Sequence, residues 1–330
     1  MRLTRAQLVE AARREVVQRA ETDGLVAAYL IGSLVHDEAV LGGAADIDLV
    51  LIHDHAPVAA REIVGLSEEV HLDIAHHDRE QYAQPRLLRL DPWLGPAIYD
   101  PLPLHDPEHL FEWAQASARG QFLRADHRAS RAQAFLTRAR ALQGSIDVDR
   151  FWVSRFARTA LAGANAIATL AGRPAAGRRL LPLLETSTAE AGCPEAYTGL
   201  LRLLGAEAQL PRDLSGWVGA WARAFDAGAP LTAEPDLQPE RRAYYLRAFQ
   251  AQLESDTPHA LLFTLLDTWE RTLATLESFG QAADHLPAWQ AAATQLDLDH
   301  PAADRRLEEL ETYLDHLEDF LEAWSARQGA

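Results

Sequence analysis

Short apolar runs in the first third of the chain predict a small β-sheet. The runs cover residues 25–31, 46–52 and 68–76, and each is shorter than a typical helix. A further short strand is predicted at 97–99, before the turn signal Asp100-Pro101, whereas 60–66 is interpreted as a short helix or loop.

Apolar residues at helical spacing precede and follow these runs. Thr4 and Gln7 form a capping box that predicts a helix ending near Thr22. From Asp106 and Pro107 onward, apolar residues recur every three or four positions, which predicts helices alone. Beyond the helix that opens there, helices are predicted at about 122–142, 148–171, 178–190, 195–205, 212–226, 238–253, 258–278 and 303–326. The pattern therefore predicts an α+β fold with an all-α second part.

Two aspartates open the second apolar run. Asp46 and Asp48 share one face of the predicted strand, because side chains alternate with period two, while Ile47, Leu49 and Leu51 take the other face. Two like charges held side by side repel each other and resist burial. A cation is expected between them, and Mg²⁺ is the usual choice for oxygen ligands.

Gly32 and Ser33 end the first apolar run and predict a strand-to-helix turn, with Ser33 capping a short helix that Gly42 closes. A glycine at such a turn lets backbone N–H groups approach an anion at the positive end of a helix. A phosphate site beside a metal site is typical of a protein that binds a nucleoside triphosphate with magnesium.

The order Gly-Ser, a gap of about ten residues, and Asp-x-Asp heading a hydrophobic strand resembles the signature of the nucleotidyltransferase superfamily. This superfamily contains DNA polymerase beta and the kanamycin- and streptomycin-modifying enzymes. Gly32, Ser33, Asp46 and Asp48 match the signature. The resemblance implies a third carboxylate on a neighbouring strand, and Asp73 is the best match.

Two other residues on the face of Asp73, Glu69 and His71, are the alternatives for that third position. The layout is closest to the aminoglycoside and other small-molecule nucleotidyltransferases, which have a C-terminal helical domain. The resemblance implies a small mixed β-sheet catalytic domain over residues 1–115. An α-helical domain over 116–330 would bind the acceptor and close over it.

The activity implied is Mg²⁺-dependent transfer of a nucleoside monophosphate from a nucleoside triphosphate, with ATP expected, to a hydroxyl of a small molecule or protein. Asp46 and Asp48 would bridge two Mg²⁺ ions, and pyrophosphate would leave. Asp73 would complete the metal shell or take the acceptor's proton, two roles the sequence leaves open. Gly32 and Ser33 would hold the β- and γ-phosphates.

Charge narrows the class of acceptor. The formal net charge of −17 disfavours nucleic acid, whose binding depends on basic surface, and favours a small-molecule or protein acceptor. All 31 basic residues are arginine, so any side chain holding the triphosphate must be Arg. Arg155 and Arg158, on one side of a predicted helix, are the candidates; a solvated helix face is the alternative interpretation.

No apolar run approaches the roughly 20 residues needed to cross a bilayer, and the N-terminus lacks a signal-peptide core. A single cysteine, Cys193, agrees with a reducing compartment. The expectation is a cytoplasmic protein without a membrane partner.

A second hypothesis keeps the fold and drops the chemistry, giving a catalytically silent nucleotide sensor or an antitoxin-like protein. Three carboxylates argue against it, because a protein that only binds nucleotide has little use for a third acid near the acceptor. Nucleotidyl addition to RNA or DNA is a third possibility, which the acidic charge balance disfavours.

Overall fold

A computed structural model describes residues 3–21, 24–36, 40–206 and 213–330. Its five strands are β1 Leu25–Leu30, β2 Ala45–His53, β3 Arg61–Gly65, β4 Val70–Asp78 and β5 Leu102–His105. They form one sheet in the order β3-β4-β2-β1-β5. β2 and β4 are parallel, and the other neighbours are antiparallel. The sheet is therefore mixed.

The remaining elements are helices, and within the described ranges no strand follows β5. They are α1 Arg5–Ala20, α2 Pro85–Leu88, α3 Leu94–Tyr99, α4 Leu110–Arg119, α5 Ala125–Gln143, α6 Val153–Ala168, α7 Leu180–Glu190, α8 Glu195–Leu203, α9 Leu214–Gly228, α10 Arg242–Leu253, α11 Leu262–Ser278, α12 Leu286–Gln295 and α13 Ala303–Gln328. The α+β class with a helical C-terminal region is confirmed.

Several local predictions hold. Thr4 and Gln7 make both hydrogen bonds of the capping box at the start of α1. The Asp106 carboxylate accepts hydrogen bonds from the backbone N–H groups of Phe111 and Glu112 at the start of α4, although α4 begins at Leu110 and not at Pro107 as predicted. The predicted end of the first helix at Thr22 and the predicted start of another at Arg212 lie outside the described residues.

Three assignments were wrong. Residues 61–65 form strand β3, because antiparallel pairing with β4 stabilises an edge segment that contains the β-branched Ile63 and Val64. Residues 97–99 belong to α3, whose start is capped by the Asp91 carboxylate, and the strand expected there is β5, paired with β1. Helix α12 was missed, although its apolar residues recur at helical spacing.

The chain forms two compact units. The first contains the residues up to His127 together with Ala243–Ala248, and the second contains Arg128–Arg242 and Phe249–Ala330. In the part of the chain that the structure describes, no helix has the length and apolar character to cross a membrane.

The sheet separates two apolar clusters within the first unit. Ile47, Leu49 and Leu51 of β2 pack in the cluster that contains residues of α1. Val50 and Ile52 point to the opposite face, where they pack with residues of α2, α3 and α4. Because side chains alternate along a strand, Asp46 and Asp48 lie on the face of Val50 and Ile52, at the end where β2 begins.

Candidate functional site

Three carboxylates lie on one face of two neighbouring strands. In the parallel register of β2 and β4, Asp48 is paired with Asp73 and Asp46 with His71. Paired residues on adjacent strands point to the same face, and the strands are about 4.8 Å apart. Asp46 is 8% exposed and Asp73 is 9% exposed. The placement predicted from the sequence, with Asp73 beside the Asp46–Asp48 pair, is therefore observed.

The Gly32–Ser33 bend packs directly against Asp48. Gly32 has φ +73°, and a Cβ atom built on it would lie 3.0 Å from Cγ of Asp48 and would overlap its carboxylate oxygen. The backbone N–H of Ile31 donates to the Asp48 carbonyl at 3.0 Å, which fixes the bend to β2. Only glycine leaves room for a carboxylate this close to the turn.

The bend continues as a single 3-10 turn, Gly32–Leu34, with no side-chain cap. The Ser33 hydroxyl is buried and has no hydrogen-bond partner among the described residues, so the capping role predicted for Ser33 is wrong. The middle of the predicted short helix, residues 37–39, lies outside the described residues, and Gly42 lies in a turn between Leu41 and Ala44. A buried hydroxyl without a partner costs folding free energy, and it is available to donate a hydrogen bond to a ligand oxygen.

Asp73 is bound by an arginine that the sequence analysis did not identify. Arg61 of β3 donates from Nε to Oδ1 of Asp73 at 2.7 Å and from a terminal nitrogen to Oδ2 at 2.6 Å. This bidentate geometry is the strongest form of an arginine–carboxylate pair. Arg61 was not identified because 60–66 was assigned to a helix or loop. Had the segment been assigned to a strand, the alternation of its side chains would have placed Arg61 on the face of Asp73.

The donor chemistry of the site fits magnesium in part. Within the described residues, no group of three or more His, Cys, Asp or Glu side chains is arranged to hold a metal ion. Asp46 and Asp48 nevertheless provide carboxylate oxygens on one face of β2. Protein-bound Mg²⁺ commonly uses one or two carboxylates together with substrate phosphates. The two aspartates of β2 suit that arrangement.

A distant segment also belongs to this unit. The rings of His71 and Tyr244 make an edge contact with their centroids 5.0 Å apart, and Arg247 lies 3.2 Å from a carboxylate oxygen of Glu69. A Cβ on Gly42 would lie 2.6 Å from the carbonyl carbon of Arg247. Glu69 and His71, the alternatives for the third position, therefore both contact α10. No local sequence signal predicts such a long-range contact.

Arg155 and Arg158 lie in the second unit and are paired there. A terminal nitrogen of Arg155 donates to the Asp147 carbonyl at 2.8 Å and to the Asp149 carboxylate at 2.7 Å. Arg158 binds both carboxylate oxygens of Asp267, at 2.5 and 2.9 Å. These pairs give both arginines a structural role, and their assignment to the triphosphate stays a prediction.

Comparison with known proteins adds little. No protein-family model matches the chain, and no curated protein matches it. Among solved structures, the chain is similar to a nucleotidyltransferase-like protein from Exiguobacterium sibiricum 255-15. The similarity covers 97% of this chain and 92% of that chain, with 11% identity and a TM-score of 0.29. A TM-score this low carries no argument about function, so the proposal below depends on the geometry of the site.

Proposed function

We propose that this chain is a nucleotidyltransferase that moves a nucleoside monophosphate from a magnesium-bound nucleoside triphosphate, with ATP expected, to a hydroxyl of a small molecule or protein. One observation supports this proposal above the others. Asp48 has Asp46 on its own strand, Asp73 in register on the parallel neighbour and the Gly32 bend against its carboxylate. Oxygen donors and a glycine bend thus meet at one residue.

In the proposed reaction the acceptor oxygen forms a bond to the α-phosphorus, the bond from that phosphorus to the bridging oxygen breaks, and pyrophosphate leaves. Asp46 and Asp48 would hold magnesium, which supplies charge neutralisation and activates an oxygen nucleophile when bound. The backbone of the Gly32 bend and the Ser33 hydroxyl would donate to phosphate oxygens. Asp73 would accept the proton of the acceptor hydroxyl, and this requires its carboxylate to be released from Arg61.

A binding protein without turnover is the alternative, and the structure contains an observation in its favour. Both oxygens of Asp73 are occupied by the Arg61 guanidinium, as expected if the third carboxylate has a structural role. A sensor or antitoxin-like protein could then bind the nucleotide through Asp46 and Asp48 alone.

Binding and turnover measured side by side separate the two functions. Titration calorimetry with each of the four nucleoside triphosphates, with and without Mg²⁺, would measure binding. Labelled nucleotide with a metabolite extract would detect transfer and pyrophosphate release. The double variant Asp46→Asn, Asp48→Asn tests the site, and Asp54→Asn, an exposed aspartate at the other end of β2, is the matched control.

Magnesium-dependent binding with pyrophosphate release, lost in the double variant and retained in Asp54→Asn, supports the transferase. Binding without release in any acceptor mixture supports the sensor. If no nucleotide binds in a magnesium-dependent way, both functions are rejected.

A further inference from the structure

We propose that Arg61 is a resident counter-ion that holds Asp73 until the nucleotide binds, and that it then moves to the triphosphate. This inference depends on the proposed function, because it describes how the same site passes from the empty to the loaded state. It assigns phosphate binding to an arginine of the unit that contains the sheet.

The position of Arg61 allows it to leave Asp73. β3 is an edge strand whose only neighbour in the sheet is β4. The Arg61 side chain is 37% exposed, whereas the Asp73 side chain is 10% exposed. The guanidinium therefore covers the carboxylate from the solvent side. Rotation of this long side chain toward a ligand uncovers Asp73 without opening the apolar clusters on either face of the sheet.

The charges of the three aspartates and of Arg61 give a reason for the pairing of Arg61 with Asp73. Asp46, Asp48 and Asp73 contribute −3 and Arg61 contributes +1, so together they have a formal charge of −2. Like charges on one face repel one another, and the guanidinium offsets one of them. A Mg²⁺ ion bound at Asp46 and Asp48 would offset further negative charge. Binding a second cation at Asp73 requires Arg61 to leave.

The triphosphate of the bound nucleotide is the group to which the Arg61 guanidinium would move. The planar fork of arginine matches the oxygens of a phosphate as well as those of a carboxylate, so exchange of one partner for the other preserves two charge-assisted hydrogen bonds. The chain has no lysine that could take this place. Release of Asp73 would follow from nucleotide binding, and the third carboxylate would become available only when there is a substrate to act on.

Two binding measurements with opposite expected changes test the proposal. The affinity for Mn²⁺ in the absence of nucleotide is measured by electron paramagnetic resonance. The affinity for Mg²⁺–ATP is measured by calorimetry. Arg61→Gln is expected to raise Mn²⁺ affinity, because Asp73 is freed, and to lower Mg²⁺–ATP affinity, each by about tenfold for the loss of a charge-assisted pair. Arg61→Lys is expected to show smaller changes of the same sign.

Arg124→Gln is the matched control, since Arg124 also binds an aspartate in a bidentate pair, with Asp126. It is expected to leave both affinities unchanged. A purely structural role for Arg61 would lower both affinities together, and that result overturns the proposal. Unchanged Mn²⁺ affinity in Arg61→Gln and Arg61→Lys, with folding verified by circular dichroism, also overturns it.

The same assay distinguishes failure of this inference from failure of the proposed function. If Asp46→Asn with Asp48→Asn retains wild-type Mn²⁺ and Mg²⁺–ATP binding, the proposed function fails and the inference with it. If that double variant loses both ligands while Arg61→Gln shows no gain in Mn²⁺ affinity, only the inference fails.

Discussion

Gly32→Ala tests the contact between the Gly32 bend and the Asp48 carboxylate. The substitution has two separable costs. An alanine at φ +73° is in the left-handed region, which costs roughly 1–2 kcal/mol of folding free energy. Its Cβ would also overlap the Asp48 carboxylate, and relieving such overpacking costs about 1–3 kcal/mol more.

Gly280 provides a control for the first cost. Its φ is +70°, and a Cβ built on it would have no heavy atom within 4 Å. Gly280→Ala should therefore lower the free energy of unfolding by roughly 1–2 kcal/mol through backbone strain alone. Gly32→Ala should lower it by roughly 2–5 kcal/mol, the sum of both costs. Urea unfolding with unchanged m-values would measure both differences.

Nucleotide binding provides the functional half of the test. Displacement of the Asp48 carboxylate should weaken Mg²⁺–ATP binding by about tenfold or more in Gly32→Ala, with no change in Gly280→Ala. Wild-type nucleotide affinity in a folded Gly32→Ala protein would refute the reasoning, because it would mean that the bend and Asp48 do not act together. Equal stability losses in the two variants would refute the proposed overlap.

Three other predictions concern single side chains. Ser33→Ala should leave the free energy of unfolding unchanged or slightly higher, because the buried hydroxyl has no partner in the described part of the chain, while it weakens Mg²⁺–ATP binding in calorimetry; a fall in stability would contradict this. Asp267→Asn should destabilise the second unit by about 1–3 kcal/mol in urea unfolding, because it removes the charge of a buried carboxylate that binds the half-exposed Arg158, whereas Glu277→Gln at an exposed pair should cost under about 1 kcal/mol. Burial raises the pKa of Glu270 from 4.5 to about 8, although two backbone hydrogen bonds lower it. The folded state therefore keeps a proton that the unfolded chain releases, so the free energy of unfolding should fall by up to about 1.4 kcal/mol per pH unit as pH rises from 4.5 to about 8; Glu270→Gln should remove this fall.

The local sequence pattern was sufficient to predict strand β2, which contains Asp46 and Asp48, and the faces of its side chains. The alternation through Asp46, Ile47 and Asp48 predicted which side chains face the apolar cluster, and the structure places Ile47 there. The parallel pairing of β2 with β4 then places Asp73 beside Asp48. This prediction succeeded because β2 is buried along almost its whole length, and burial fixes the register of a strand.

The same method failed where burial is one-sided or the partner is remote. The segment 61–65 is exposed at both ends and only half-buried between them, so its apolar pattern is weak and its strand conformation comes from pairing with β4. Arg61 was missed for that reason. Tyr244 and Arg247 approach His71 and Glu69 from a helix far along the chain, and no local rule predicts such an approach.

The sequence by itself determined that two carboxylates share a face at the head of an apolar strand and that a glycine bend precedes them, because strand alternation and turn chemistry are local. Only the tertiary structure decided what those groups touch. The Gly32 bend contacts the Asp48 carboxylate, and Arg61 holds Asp73, because strands distant in sequence become neighbours in the sheet. The chemistry of the site depends on those contacts, since the charge that a carboxylate presents to a ligand depends on the partner it already has.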